Sequence, residues 1–363
     1  LEKEKVRFAV LGYGFAGKRH CLYLVNMPGA ELVAVADCDP FRQEEARNAL
    51  SCFVYADLAQ MLAERPEIEV VNICTPNGLH TEHAIYALRH GCHAVLEKPM
   101  GLTVESCKAT LRQAAAVKRE VFCVLQNRYS PPIMWLREMV ENKRLGKIFF
   151  VGMNCFWNRD EMYYLQSSWR GTLAIDGGPL FTQFSHFVDI LGWLVGDIYK
   201  VRALYSRTRP YIPTEFEDTG AITFTLKNGG MGSFNYSTAV AGKNFESSIT
   251  IISENGVVKI GGQYMNEVLY CDIKNYEFDL LPPCNEPNDY GFFQGSANNF
   301  HLMLKNIVLT LRGVSAQASI GSDGLQGVRL IEKMYQPRAR FLQEWNLPSK
   351  AQAQYFSRFV AGL

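Results

Sequence analysis

Three glycines in Gly12-Tyr13-Gly14-Phe15-Ala16-Gly17 follow directly on a strand-like apolar run, residues 6–11, and open a helical pattern. In that setting the first glycine permits a tight turn. The second lets backbone approach a pyrophosphate, and the third lets the helix pack on the strand, with free helix amides facing the phosphates. Taken alone, such a pattern also marks ordinary turns. Here, however, Asp37 ends the next strand-like run, residues 32–36, and stands twenty residues beyond Gly17, the roughly 20-residue interval to a ribose-binding acid. The stretch therefore reads as a dinucleotide site, with Gly12, Gly14, Phe15, Ala16 and Gly17 at the phosphates and Asp37 at the ribose. Asp37 is followed by Cys38 and Asp39, with no arginine to meet a 2′-phosphate. A carboxylate accepts two ribose hydroxyls and repels a phosphate, so NAD is favoured over NADP. The bland alternative is that Asp37 caps a turn before Pro40, a job for which Asp39 is the better candidate.

Further strand-like runs at 70–73, 94–96 and 121–125 alternate with helical patterns. Each is nearly all apolar, as expected when helices cover both faces of a parallel sheet. After about residue 127 the pattern changes. A helical stretch, 133–142, leads into a strand-like 148–157, and Asn228-Gly229 and Asn255-Gly256 each join two strand-like runs in the manner of hairpins. With runs at 201–205 and 268–273 these make a largely antiparallel sheet, and helical patterns return at 297–311 and 324–334. The expected class is α/β: a Rossmann-type, doubly wound parallel sheet over residues 1–126, then an α+β domain over 127–363 with a large, mostly antiparallel sheet. A ligand is expected in a cleft between them.

The remaining bulk properties exclude several classes. With 363 residues the chain is long enough for two domains, and 37 Lys+Arg against 36 Asp+Glu leave a net charge of +1. That balance gives no basic excess for nucleic acid or an anionic membrane. No apolar run approaches a membrane span, and the N-terminal residues pass straight into a strand with no signal-like region, so a cytoplasmic protein is expected unless a removed leader preceded Leu1. Ten cysteines are scattered with no Cys-x-x-Cys pair, which reads as reduced, structural thiols rather than a metal or redox site.

Three further constellations carry chemistry. Thr75-Pro76-Asn77 follows the third run, and the loop should sit beside the glycine turn with Asn77 and His80 near the cofactor; a plain turn and helix start is the alternative, and His83 reads as a surface residue. Glu97-Lys98-Pro99 follows the fourth run, where Pro99 holds Lys98 extended. Its ammonium, aimed into the crevice, would stabilise alkoxide developing as hydride leaves. Gln126, after the fifth run, is placed with the same cofactor set. In the second domain, Trp169-Arg170-Gly171, Asp176-Gly177-Gly178 and residues 182–189 form the densest polar cluster, and apolar spacing over 180–194 predicts one helix carrying His186 and Asp189 on one face. His186 suits a general base. A core histidine paired with Asp189 is the alternative, and a metal site lacks a third ligand.

The joint pattern of the glycine turn, Asp37, Thr75-Pro76-Asn77, Glu97-Lys98-Pro99 and Gly177-Gly178 leading to His186-x-x-Asp189 resembles the Gfo/Idh/MocA family, from residue 6 to about 334. The resemblance implies a nicotinamide-dependent oxidoreductase acting on a sugar, cyclitol or related alcohol, with Lys98 orienting substrate and His186 as acid/base. It also implies a possible cis bond at Lys98-Pro99, and homodimers or homotetramers packed through an open sheet in the second domain. Cyclitol-type members carry aspartate four residues before the histidine, where this chain has Thr182. Members acting on nucleotide-linked N-acetylhexosaminuronates also have a neutral residue there. On this reading Arg170 meets a substrate anion, while Lys98, Thr182, Gln183, His186 and Asp189 contact the sugar. Two rivals stand beside it: NAD-dependent glycoside hydrolysis through transient oxidation at C3, and a non-catalytic NAD or sugar sensor.

Overall fold

Near-continuous apolar runs have two faces to bury, and in the computed structural model, which describes residues 5–291, 293–314 and 318–344, they lie side by side beneath helices. The first part of the chain gives β1 (Val6–Leu11), α1 (Phe15–Val25), β2 (Ala30–Ala36), α2 (Pro40–Ala49), β3 (Phe53–Tyr55), α3 (Leu58–Glu64), β4 (Val70–Ile73), α4 (His80–Arg89), β5 (His93–Leu96), α5 (Val104–Val117) and β6 (Val121–Cys123). The six strands are parallel, in the order β3-β2-β1-β4-β5-β6. Winding reverses between β1 and β4, the switch point at which such sheets take ligands. Register brings the strand ends level: Leu11 pairs with Ala36 and Ile73, Ile73 with Leu96, and Leu96 with Cys123. The loops that start at Gly12, Asp37, Cys74 and Glu97 therefore leave from one edge. The short β3 was not foreseen, because three residues are too few to show a period.

The second part gives α6 (Pro131–Glu141), β7 (Ile148–Phe156), α7 (Glu161–Leu165), α8 (Pro179–Thr182), α9 (Ser185–Val195), β8 (Ile198–Ser206), β9 (Thr219–Leu226), β10 (Met231–Ser237), β11 (Glu246–Ser253), β12 (Gly256–Gly261), β13 (Glu267–Ile273), β14 (Pro287–Asp289) and β15 (Gln294–Ala297). Strands β7 to β13 make a seven-stranded sheet, β13-β12-β11-β7-β10-β9-β8, antiparallel except where β10 meets β7. Both expected hairpins form. One face buries Val151, Met153, Phe234, Tyr236, Ile249 and Ile251, and Phe184 just ahead of α9 meets the ring of Tyr236. The other face is open. Ile252 pairs with Phe150, Phe150 with Met231, Met231 with Thr225 and Thr225 with Tyr199, a row across five strands whose Ile252, Phe150, Met231 and Tyr199 are exposed.

Two expectations need correction. Residues 180–194 form two helices, not one: Pro179 starts a single turn, and Phe184 (φ −107°, ψ 4°) leaves the helical region while its N–H reaches back 2.9 Å to the Pro179 carbonyl. Apolar periodicity reports which side is buried and passes over such a break. The division of the chain also differs from a single boundary after residue 126. One unit is Leu1–Tyr129 with Asn298–Arg329, the other Ser130–Ala297 with Leu330–Leu363. The cause is α10 (Phe300–Leu311), whose Phe300, Met303, Leu304 and Ile307 join Phe8, Val10 and Leu24 in the core of the first unit. An amphipathic stripe announces that a helix needs a cover but not which sheet supplies it. Next come α11 (Gly321–Tyr335) and α12 (Arg338–Glu344). Ahead of α11, Ile320 bridges Phe122 and covers the β6 edge. Among the described residues no helix is long and apolar enough to cross a membrane.

Candidate active site

In the first unit the glycine turn is built by contact. Gly12 has φ +91°, and a Cβ there would stand 2.7 Å from the Cys74 carbonyl oxygen; a Cβ on Gly17 would fall 1.8 Å from that of Gly12. Both positions exclude any side chain. Gly14 differs: its Cβ would meet only the end of the Arg42 side chain, at 3.8 Å. The protein itself gives no packing reason for this glycine. It leaves open the space in front of α1, where Gly14 is the N-cap and brings no side chain of its own to cap the helix. Phe15 follows, 41% exposed, and Ala16 completes the turn.

Asp37 is buried, and its carboxylate accepts the Tyr13 amide at 2.6 Å and the Asp39 amide at 2.9 Å. A carboxylate has about four acceptor positions, so two amides leave room for two hydroxyls. The capping of α2 falls to Asp39, which accepts from the Phe41 amide at 2.9 Å. The absence of arginine at 38 and 39 was misleading, because α2 turns Arg42 back to 3.6 Å from both Asp37 and Asp39. The sequence signal was there, one helical turn beyond Asp39.

Behind the loops runs a buried polar chain. Asn72 lies 2.8 Å from His20 Nδ1, His20 Nε2 is 3.0 Å from Glu97 Oε1, and Glu97 Oε2 accepts the Lys98 amide at 3.1 Å. Burial works to raise the Glu97 carboxyl, but the hydrogen bond from His20 and the charges of His20, Lys98 and His80 hold it below the usual carboxylate range. The Lys98-Pro99 peptide is cis. Lys98 itself is half-buried. His80 is buried, with its ring nitrogens 2.7 Å from the Pro99 and Thr75 carbonyl oxygens. Its ring is committed to tying two loops together, and burial lowers its pKa despite those bonds. His83, read as a surface residue, is half-buried and 3.0 Å from Thr75 Oγ1. Pro76 and a buried Asn77 complete this loop, and Gln126 is buried with its Oε1 lacking a partner among the described residues. An open Gly14, an engaged but unfilled Asp37 and an orphaned Gln126 oxygen together fit a dinucleotide laid along this edge.

In the second unit, Gly177 and Gly178 (φ 84° and 112°) turn the chain into α8. Thr182 donates to the Asp176 carbonyl at 3.1 Å and to Asp176 Oδ1, and the Gly171 amide donates to Asp176 Oδ2 at 2.9 Å. Burial nevertheless lifts the Asp176 carboxyl to about 6. Gln183 is buried and donates to the Tyr163 hydroxyl at 3.0 Å. His186 and Asp189 follow on α9, both buried. Arg170 is buried as well, donating to the Tyr163 carbonyl at 3.0 Å and to Gln166 at 3.2 Å. The unit thus gathers Arg170, Thr182 and Gln183 around Tyr163 and Asp176. Two partners had no role in the sequence reading: Asp176, which accepts from Thr182 and Gly171, and Arg159, whose guanidinium stands 5.0 Å from the Tyr163 ring centre. The turn is held from afar, because Arg338 Nη1 bonds both the Gly177 carbonyl and Glu217 at 3.3 Å. Among the described residues no group of three His, Cys, Asp or Glu is placed to hold a metal, and all ten cysteines are free.

Comparison with known proteins gives the family. Residues 6–125 match the family model of the Gfo/Idh/MocA oxidoreductases, NAD-binding Rossmann fold, and residues 133–259 match the C-terminal domain of the same family. The WlbA dehydrogenase of Bordetella pertussis, solved with NADH and UDP-GlcNAcA, is 31% identical at a TM-score of 0.80 over 92% of this chain and 96% of that one. Its counterpart from Chromobacterium violaceum, solved with the same two ligands, is 32% identical at 0.82 over 92% and 94%. Levoglucosan dehydrogenase of Pseudarthrobacter phenanthrenivorans is 31% identical over 63% of this chain and 60% of that protein. The chain spans about three fifths of the length of the first curated relatives it matches. On both its domains, this chain belongs to the Gfo/Idh/MocA family of oxidoreductases.

Proposed function

We propose that this chain oxidises a secondary alcohol of a sugar by hydride transfer to NAD, and that the sugar is a nucleotide-linked N-acetylhexosaminuronate. The observation that carries the reading is similarity, over nine tenths of both chains, to two dehydrogenases solved with NADH and UDP-GlcNAcA. Thr182 supports the same choice, since a hydroxyl that already donates to Asp176 holds a substrate group but takes no proton from it. Gly12, Gly14, Phe15, Ala16, Gly17, Thr75, Pro76, Asn77, Glu97, Lys98 and Gln126 would hold the dinucleotide, with Asp37 on the ribose and His80 bracing the loops. Bound nicotinamide supplies the hydride acceptor. Lys98 would donate to the reacting hydroxyl and steady the alkoxide, while His186, oriented on α9 with Asp189, takes the proton. Such proton transfer is worth about 10²- to 10⁴-fold.

The open sheet face supports a homo-oligomer. Exposed Phe150, Met231, Ile252 and Tyr199 in one row form an apolar surface of the kind that marks an interface. Incubation with NAD and UDP-N-acetylglucosaminuronate tests the reaction. NADH and a ketone product are expected in equal amounts. Release of free nucleotide without net NADH would replace this reading with a hydrolytic one.

A further inference from the structure

Two buried arginines in the second unit share the same aromatic rings. The guanidinium groups of Arg159 and Arg170 stand 5.0 and 4.2 Å from the Tyr163 ring centre, and 5.0 and 5.6 Å from that of Phe293. Arg159 also lies 4.9 Å from the Trp157 ring. It is 3% exposed, and each acceptor it reaches is neutral: the Asn158 carbonyl, Asn244 Oδ1 at 3.1 Å and the Gln294 carbonyl at 3.3 Å. Its Nε is buried with no acceptor among the described residues. Ring faces attract a cation but do not replace the hydration it has lost. Burial, and then the charge of Arg170, act to lower the Arg159 pKa. Arg170 acts on the Asp176 carboxyl, which burial lifts to about 6, whereas the acceptors that Arg159 reaches are neutral, and two like charges held so close favour an added anion.

The place also adjoins the residues assigned to chemistry. The Tyr163 hydroxyl accepts from Gln183, three residues before His186, and the Gln183 amide oxygen is itself buried with no donor among the described residues. Resting on the function proposed above, we infer that Arg159 and Arg170 form a subsite for an oxyanion of the substrate, either the carboxylate or the diphosphate of a nucleotide-linked sugar acid. Planar guanidinium groups suit both, through paired N–H donors. No local sequence pattern marks Arg159.

The test is calorimetric titration of the whole chain with UDP-N-acetylglucosaminuronate, UDP-N-acetylglucosamine and NADH, for wild type, Arg159→Gln and Arg159→Lys. The lysine variant keeps the charge and guards against a folding defect in the glutamine one. Both variants should bind the sugar acid at least about tenfold more weakly, the loss of one charge-assisted hydrogen bond, with NADH affinity unchanged. A loss confined to the acid assigns the carboxylate, and an equal loss for both nucleotide sugars assigns the diphosphate. Wild-type affinity of both variants for both sugars overturns the subsite, as does failure of wild type to bind either sugar. The dehydrogenase reading fails separately, if wild type binds the acid through Arg159 yet forms no NADH.

Discussion

The two units build their candidate sites in opposite ways. In the first, each residue proposed for the cofactor lies within a few positions of a strand end, and the parallel register carries those ends to one edge. Short sequence motifs there are already places in space. In the second, Arg170, Asp176, Thr182 and Gln183 come from turns and single-turn helices, and their supports come from Tyr163, Glu217 and Arg338. A parallel sheet turns chain order into position, whereas an antiparallel sheet with irregular excursions does not.

Substitutions sharpen the contrast, beginning with the largest. Gly17→Ala would put a methyl group 1.8 Å from the Gly12 carbonyl oxygen, and should cost more than about 5 kcal/mol in denaturant unfolding, the exceptional range for one residue. Gly14→Ala, with nothing nearer than 3.8 Å, should leave stability within about 0.5 kcal/mol while weakening NADH. Equal loss of stability in both would mean that Gly14 is structural too. For the second unit, Glu217→Gln removes the charge facing Arg338, which also holds the Gly177 carbonyl. Stability to unfolding should fall by about 4 kcal/mol, as for one partner of a buried pair, and turnover should fall although residue 217 is remote in sequence from 186. Unchanged turnover would mean that the turn does not depend on its distant brace.

Next in size is a pH effect. With its carboxyl raised from 3.8 to about 6, Asp176 holds a proton in the folded chain that the unfolded chain has released. Its contribution to stability is complete below the unfolded value and is lost as pH rises through about 6. Between pH 4 and pH 7, wild type should lose about 2.4 kcal/mol relative to Asp176→Asn. Parallel curves for the two proteins would show that burial does not perturb this carboxyl. Smallest is Asp37→Ala, which leaves Arg42 without one of its two carboxylates. Preference should move about tenfold from NAD toward NADP, one charge-assisted contact, and the Asp37→Ala, Arg42→Ala double variant should lose that gain. An unaltered preference in the single variant would mean that Asp37 does not read the ribose.

The legible parts follow the same line. The glycine turn, Asp37 and the loops after β4 and β5 were readable because apolar runs, turn residues and chain order determine a parallel sheet. Both hairpins were readable from Asn-Gly pairs. Arg42 does not show in the residues next to Asp37, because it is the helix that brings its side chain back one turn later. Arg159 and the brace from Glu217 and Arg338 were not readable, since Asn244 and Gln294 lie 85 and 135 positions from Arg159, and Arg338 lies 121 positions from Glu217. The return of α10 to the first unit failed for the same reason.

The proposed function rests above all on Lys98 and His186 acting in one hydride transfer. Stopped-flow hydride transfer in Lys98→Met, His186→Asn and the double variant, with NADH affinity measured alongside, tests it most directly. Each single variant should lose about 10²- to 10⁴-fold in rate, the double no more than the worse single, because residues acting as a unit are not additive, and NADH affinity should hold. Near-wild-type transfer in either single variant, or losses that multiply in the double, would contradict it.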